Sequence, residues 1–189
     1  MSTTIYMVRH AKSPFIFGKE RTRGLSNEGQ INANKVTELL KDKQIDVIVS
    51  SPYTRAIQTV QGLATCKRLT IKKYEELRER PIKGLNYKVS EQEMLEAIKL
   101  SFEDKEYCLV EGESTLQAQN RSIPIVRQLL KEYEGRNIVI GTHGNIMTII
   151  MNYFDGRYGY DFWESTSKPD IYRLVFNNEN LIEVERLWD

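Results

Sequence analysis

The stretch Thr4-Ile5-Tyr6-Met7-Val8-Arg9-His10-Ala11-Lys12-Ser13-Pro14 constrains the fold more than any other part of the chain. A run of strand formers passes directly into an arginine and a histidine, which reads as a buried strand delivering Arg9 and His10 to its C-terminal end. In open α/β sheets, ligands bind in the crevice beyond the carboxyl ends of the strands, so chemistry belongs here if residues 5–8 lie centrally. An anion is the guest implied. Taken alone, the pair is more simply an ordinary loop histidine beside a surface arginine, and the decision falls to the rest of the chain.

The pattern recurs. Asp46-Val47-Ile48-Val49-Ser50 is nearly continuous in apolar character, as expected of a strand buried on both faces in a parallel sheet. Ser51 and Pro52 then read as N-cap and first helical residue, so a helix is predicted over 53–66 with Arg55 in its opening turn. A helix start offers free backbone N–H groups and the positive end of a dipole, and an added arginine makes it a phosphate site. Asn137-Ile138-Val139-Ile140-Gly141-Thr142 is another such strand, running into His143-Gly144-Asn145 and an apolar helix over 146–154. Gly144 lets the backbone approach a ligand closely.

Between these lie the connections. Ser26 caps a crossover helix that ends near 42 or 43, with Ala33, Val36, Leu39 and Leu40 at helical spacing. Residues 69–74 form a further strand. Ser90 with Glu93, and Ser114 with Gln117, open two more helices as capping boxes. In the second, Leu116, Ile123, Val126 and Leu130 face inward, and Pro124 is expected to kink or interrupt the helix. Residues 155–169 read as irregular, and 171–176 and 181–187 as the strands of a hairpin. The fold class is α/β, a three-layer α/β/α arrangement with a mixed, mostly parallel central sheet.

Composition narrows the function. No linker or low-complexity tract divides the 189 residues, so a single domain over 1–189 is expected. With 27 basic against 26 acidic side chains the net charge is +1, which argues against nucleic acid or membrane as partner and makes any attraction for anions local. No apolar stretch approaches the roughly 18 residues that span a bilayer, and the N-terminus lacks the pattern of a signal peptide. A cytoplasmic location is expected. Cys66 and Cys108 form neither a metal clip nor a disulfide framework, so reduced thiols are the default.

Right-handed βαβ connections would set these strands side by side and gather Arg9, His10, Arg55 and His143. Two guanidiniums can hold a phosphoryl group bidentately. Cations beside an imidazole also disfavour its protonation, leaving a neutral nitrogen as nucleophile. The loop over 11–23 sets Phe15, Ile16 and Phe17 beside Lys12, Lys19, Arg21 and Arg23, a composition suited to closing over a ligand. Glu75-Glu76-Leu77-Arg78-Glu79 supplies candidate proton donors, although such a charged run taken alone is ordinarily a solvated loop.

Together these residues carry a resemblance. Arg9-His10-Ala11, Ser50-Ser51-Pro52-Tyr53-Thr54-Arg55-Ala56 with Gln58-Thr59, Leu77-Arg78-Glu79 and Thr142-His143-Gly144 resemble the histidine phosphatase superfamily, also called phosphoglycerate mutase-like. Leu25-Ser26-Asn27-Glu28-Gly29 and Gly112-Glu113-Ser114 extend the likeness over nearly the whole chain in the same order. The resemblance implies a catalytic set of His10, Glu79 and His143. His10 would be the nucleophile that forms a phosphohistidine, with Arg9, Arg55 and His143 on the phosphoryl oxygens. Glu79 would protonate the leaving oxygen and later assist water, which requires it to hold a proton at working pH. No metal or other cofactor is implied.

The sequence departs from the family in two places. Ala11 stands where the family usually has glycine, and Arg80-Pro81-Ile82-Lys83-Gly84-Leu85-Asn86 where many members carry an aromatic-Glu-Gly sequence, so Glu76 stays a rival to Glu79. The activity implied is metal-independent hydrolysis of phosphomonoesters. Mutase-type phosphoryl transfer is a second reading, opposed by the compact length, and a non-catalytic phosphate-binding module a third, opposed by the joint survival of the core residues and an acid. The partner expected is a small phosphorylated substrate, with a phosphoprotein left open. Lys12, Arg21, Arg23 and Lys83 are candidates for a second negative group, and Phe15, Phe17 or Tyr87 for an apolar portion. Nothing in the residues specifies an oligomeric state.

Overall fold

The computed structural model describes residues 1–189. Its strands are β1 (Ser2–Arg9), β2 (Val47–Ser50), β3 (Ile71–Lys73), β4 (Asn137–Thr142), β5 (Asp170–Asn177) and β6 (Asn180–Arg186). They form one sheet in the order β3-β2-β4-β1-β5-β6. The first four of that order run parallel, while β5 and β6 are added antiparallel at one margin. The helices are α1 (Asn27–Leu40), α2 (Thr54–Lys67), α3 (Glu91–Glu103), α4 (Thr115–Glu132), α5 (Gly144–Phe154) and α6 (Tyr160–Ser165), with a 3-10 turn at Glu75–Leu77.

The alternation of side chains along the strands builds the three layers. Tyr6, Val8, Ile48 and Val139 turn to one face, against Val36 and Leu40 of α1 and Val60 and Leu63 of α2. Ile5, Met7, Val47, Val49, Ile138 and Ile140 turn to the other, against Val126 and Leu129 of α4 and Ile146 and Ile150 of α5. Each fully buried large side chain stabilises the fold by roughly 1.5–3 kcal/mol, and a one-residue slip would turn each set to the wrong face. The register is therefore strongly specified, and with it the position of every strand end.

Several expectations are corrected. The helix after β2 starts at Thr54 with Tyr53 as N-cap, not at Ser51 and Pro52. Ser51 instead prolongs the pairing with β4, its N–H donating to Gly141 O, while its hydroxyl accepts from Tyr53 N. Arg55 becomes the second residue of α2. Leu116 is 38% exposed, because the inward face of α4 is Thr115, Ala118, Gln119, Ser122, Ile123, Val126, Leu129 and Leu130, and Leu116 lies one helical step off it. Leu39 is likewise on the exposed side of α1. Pro124 does not interrupt α4. It sits on the exposed face, where the carbonyl that loses its N–H partner can turn to water. Within 155–169 a short helix, α6, replaces part of the expected irregular chain. No helix is long and apolar enough to cross a membrane.

Candidate active site

The central position of β4 between β1 and β2 assembles the site. Pairing with β4 continues past the strands, through His10 N–H to Thr142 O at 2.9 Å and Ser51 N–H to Gly141 O at 2.9 Å. β5 enters beside β1 with Asp170 opposite Arg9, which brings the residues just before it to the same edge. His10 and His143 meet there, ring centroids 5.2 Å apart.

Both imidazoles are held in place. His10 Nδ1 lies 2.7 Å from Ala11 O and donates to it, so Nε2 carries the lone pair, and Arg55 Nε stands 3.3 Å from that nitrogen. Burial first, then Arg55, Arg9 and Lys168, hold His10 well below the usual histidine range, with the bond to Ala11 opposing. Ala11 is absent from the positions with positive φ, so its methyl is compatible with the turn. Its N–H donates to Thr59 Oγ1, which itself donates to Arg55 O, fastening the turn to α2. His143 Nε2 lies 2.8 Å from Ser51 Oγ, and its Nδ1 is buried without a hydrogen-bond partner in the protein. Burial, then His10 and the arginines Arg55, Arg23 and Arg9, push His143 far down as well.

The cations follow. Arg9 lays its guanidinium across Gly144, where a Cβ would come within 2.6 Å of Cζ, so the close approach that requires glycine is made by Arg9. It donates to Thr166 Oγ1 and leaves Nε without a partner. Arg55 donates to both the backbone carbonyl and the carboxylate of Glu20. Arg23 joins the cluster, its Nε 3.6 Å from the same carboxylate. Arg21 reaches only the rim, bidentate to Glu75 at 2.7 Å and stacked over Tyr53.

Lys12 and Lys83 are not brought in. Lys12 pairs with Glu28 at 2.8 Å among exposed groups, and Lys83 is taken by the carbonyls of Gly84 and Tyr87 in its own loop. Nearer partners claim both ammonium groups. Phe15, Ile16 and Phe17 are exposed.

Glu79 sits at the start of α5. Oε1 accepts from Arg80 N at 2.9 Å and Ile146 N at 2.8 Å, and Oε2 from Asn145 N at 3.2 Å. It supplies the cap that His143, the N-cap residue, does not supply with its own side chain. Its charge acts on Arg9, Arg23 and Lys168, raising each against the effect of burial. Glu76 instead offers its backbone carbonyl to Arg121, which is clamped by Glu113 at 2.7 Å. The Gly112-Glu113-Ser114 segment thus braces the acidic loop from behind.

Reading the sequence missed Glu20, the Ser51 hydroxyl as a partner of His143, Thr166 and Lys168. All but Ser51 lie in stretches with no periodic signal, and only tertiary pairing places them. No group of three or more His, Cys, Asp or Glu side chains is arranged to hold a metal ion.

The family model of the histidine phosphatase superfamily (branch 1) matches residues 5–186, and the chain belongs to that superfamily. Among solved structures it shares the fold of a mycobacterial glucosyl-3-phosphoglycerate phosphatase, with 20% identity, TM-score 0.77, and coverage of 98% of this chain and 97% of that one. The complex of that mycobacterial phosphatase with inorganic phosphate matches at 22% identity and TM-score 0.75, covering 98% and 95%. A mutant phosphoserine phosphatase from Entamoeba histolytica in complex with phosphoserine matches at 21% identity and TM-score 0.76, covering 95% and 94%. A search of curated proteins finds no match.

Proposed function

We propose that this member of the histidine phosphatase superfamily hydrolyses small phosphomonoesters through a phosphohistidine on His10, with no metal ion taking part. One observation carries the reading. His10 Nε2 carries the lone pair of the ring, because Nδ1–H is committed to Ala11 O, and it accepts a long hydrogen bond from the buried Arg55 Nε at 3.3 Å. A neutral nucleophile beside a fixed cation suits attack on a phosphoryl group.

In this reading Arg9 and Arg55 take the phosphoryl oxygens. The Ser51 hydroxyl, which accepts from Tyr53 N, gives its own hydrogen to His143 Nε2 in this reading, so that Nδ1–H of His143 donates to a third oxygen. His10 Nε2 attacks phosphorus while the ester P–O bond breaks, and the leaving oxygen takes from Glu79 the proton that a phosphomonoester monoanion brings in and passes to it on binding. Oε2 has room for that proton, since it accepts one N–H at 3.2 Å whereas Oε1 accepts two shorter ones. The resulting carboxylate then draws a proton from water as water attacks phosphorus and the P–N bond breaks, releasing inorganic phosphate. Preorganised donors of this kind are each worth about 10²–10³ in rate. Arg23 and Lys168 stand ready for a second negative group on the substrate. Two free thiols, Cys66 and Cys108, fit a cytoplasmic setting.

The test is hydrolysis of an aryl phosphate with a chelator present, followed by rapid acid-free denaturation of enzyme mixed with labelled substrate. A labelled phosphoenzyme that is lost on acid treatment and absent in His10→Ala is expected. Phosphate binding without turnover across a broad pH range would replace the proposal with a binding module. Label appearing on a second sugar or acid acceptor would replace it with a mutase.

A further inference from the structure

Arg55 is 1% exposed and its guanidinium faces two ways. Nη1 donates to the carbonyl and Nη2 to the carboxylate of Glu20, while Nε points at His10 Nε2. Glu20 therefore holds the end of the planar fork and leaves its side edge, Nε with the second Nη2 hydrogen, toward the imidazole. Because the guanidinium is rigid, securing one end sets the direction of the other. The second oxygen of Glu20 lies 3.6 Å from Arg23 Nε, a buried nitrogen with no hydrogen-bond partner. One carboxylate thus ties two guanidiniums beside the nucleophile. The loop that carries it is fastened on both sides, by Thr54 N–H to Arg21 O at 3.0 Å and by Arg23 Nη1 to Ser13 O at 2.9 Å.

We infer that Glu20 is a positioning residue, which orients Arg55 so that its side edge meets two oxygens of the phosphoryl group during transfer to His10. It touches no reacting atom and acts through Arg55. The consequence for turnover rests on the phosphatase reading, whereas the consequence for anion binding does not. A carboxylate so placed has one rival role, that of an internal anion competing with phosphate for Arg55. The rival makes the opposite forecast, since removing the charge would then tighten phosphate.

The experiment compares Glu20→Ala and Glu20→Gln with wild type. It measures binding of orthovanadate and of inorganic phosphate by calorimetry, together with kcat and KM on an aryl phosphate. An orienting contact matters most in the transition state, so in Glu20→Ala vanadate affinity and kcat should each fall about 10- to 30-fold, with phosphate affinity and KM changed less than about 3-fold. Glu20→Gln keeps an acceptor for Nη2 and should recover at least about half of the loss on a logarithmic scale. In an Arg55→Ala background the Glu20→Ala change should add less than about 2-fold. Tighter phosphate in Glu20→Gln, unchanged vanadate affinity, or a loss that persists without Arg55 would each overturn the inference. If Glu20→Ala does not fold, Glu20→Gln decides alone: a loss of vanadate affinity of about 2- to 5-fold that exceeds the loss of phosphate affinity upholds the positioning role, and equal losses for the two anions overturn it. An inactive wild type would sink the phosphatase reading while leaving the two anion titrations to decide the role of Glu20.

Discussion

Arg55, beside His10, and Arg80, beside Glu79, are both almost fully buried, yet their surroundings differ in kind. Arg55 has a carboxylate at one end and His10, the nucleophile of the proposed function, at the other. Arg80, 2% exposed, donates to neutral groups, Ser101 Oγ at 2.8 Å and Asn145 Oδ1 at 2.9 Å, with longer contacts to Thr115 and the Glu113 carbonyl. Burial pushes it down to about 10. Asn145 in turn gives its N–H to Glu79, so Arg80 secures the helix start on which the acid rests. Both cations give their Nη groups to the scaffold, but Arg55 turns its Nε to His10, which suits it to the ligand in the proposed function, whereas the contacts of Arg80 hold only the scaffold.

That contrast can be broken most sharply at Arg55 itself. Arg55→Ala should lower kcat/KM on an aryl phosphate about 10³-fold, read by steady-state kinetics on folded protein. Arg80→Ala should instead cost about 3 kcal/mol in urea unfolding, from a lost side chain and stranded polar partners, and leave phosphate affinity within about 3-fold. If both variants lose the same property, the division of labour is wrong. Glu79→Gln should slow an alkyl phosphate about 10²-fold and a nitrophenyl phosphate far less, since a good leaving group needs no proton. Equal losses on the two esters would remove Glu79 as the acid and return Glu76 to consideration.

The histidines offer a gentler probe. Both are held well below their ordinary value of 6.5, so between the folded and unfolded values the unfolded chain takes up protons that the folded one refuses. Their contribution to stability is full above about pH 6.5 and falls as the pH drops below it, by about 1.4 kcal/mol per pH unit for each. His143→Asn should lessen the fall in unfolding free energy between about pH 6.5 and 5.5 by about 1 kcal/mol. An unchanged slope would mean that His143 is charged in the fold. Smallest of all, Lys168→Ala should raise KM about 5-fold for a substrate with a second negative group, while Lys12→Ala stays within about 2-fold. Equal effects would show that Lys12 leaves Glu28 when substrate arrives.

Much of this was legible because it is local. The apolar runs before Arg9, Ser51 and His143 are strands, and the Ser114 capping box forms in both directions. Ser26 and Ser90 cap the helices expected of them. Other residues were misjudged because their partners lie elsewhere. Ser51 has the chemistry of a helix cap, but its hydroxyl reaches His143, 92 residues away. Lys12 and Lys83 have the charge of anion ligands, but Glu28 and two loop carbonyls reach them first. Lys168 sits in a stretch without period, and only the antiparallel pairing of β5 with β1 carries it to Arg9.

The order of residues by itself determined the strands, the layers they separate and the four residues at their ends, since burial periodicity and capping act over a few positions. Only the tertiary structure decided which nitrogen of His10 carries the lone pair, which acid caps the helix that follows His143 and which cations are spent elsewhere. Those outcomes depend on distances across the sheet, set once β4 has come between β1 and β2, and no local preference encodes them.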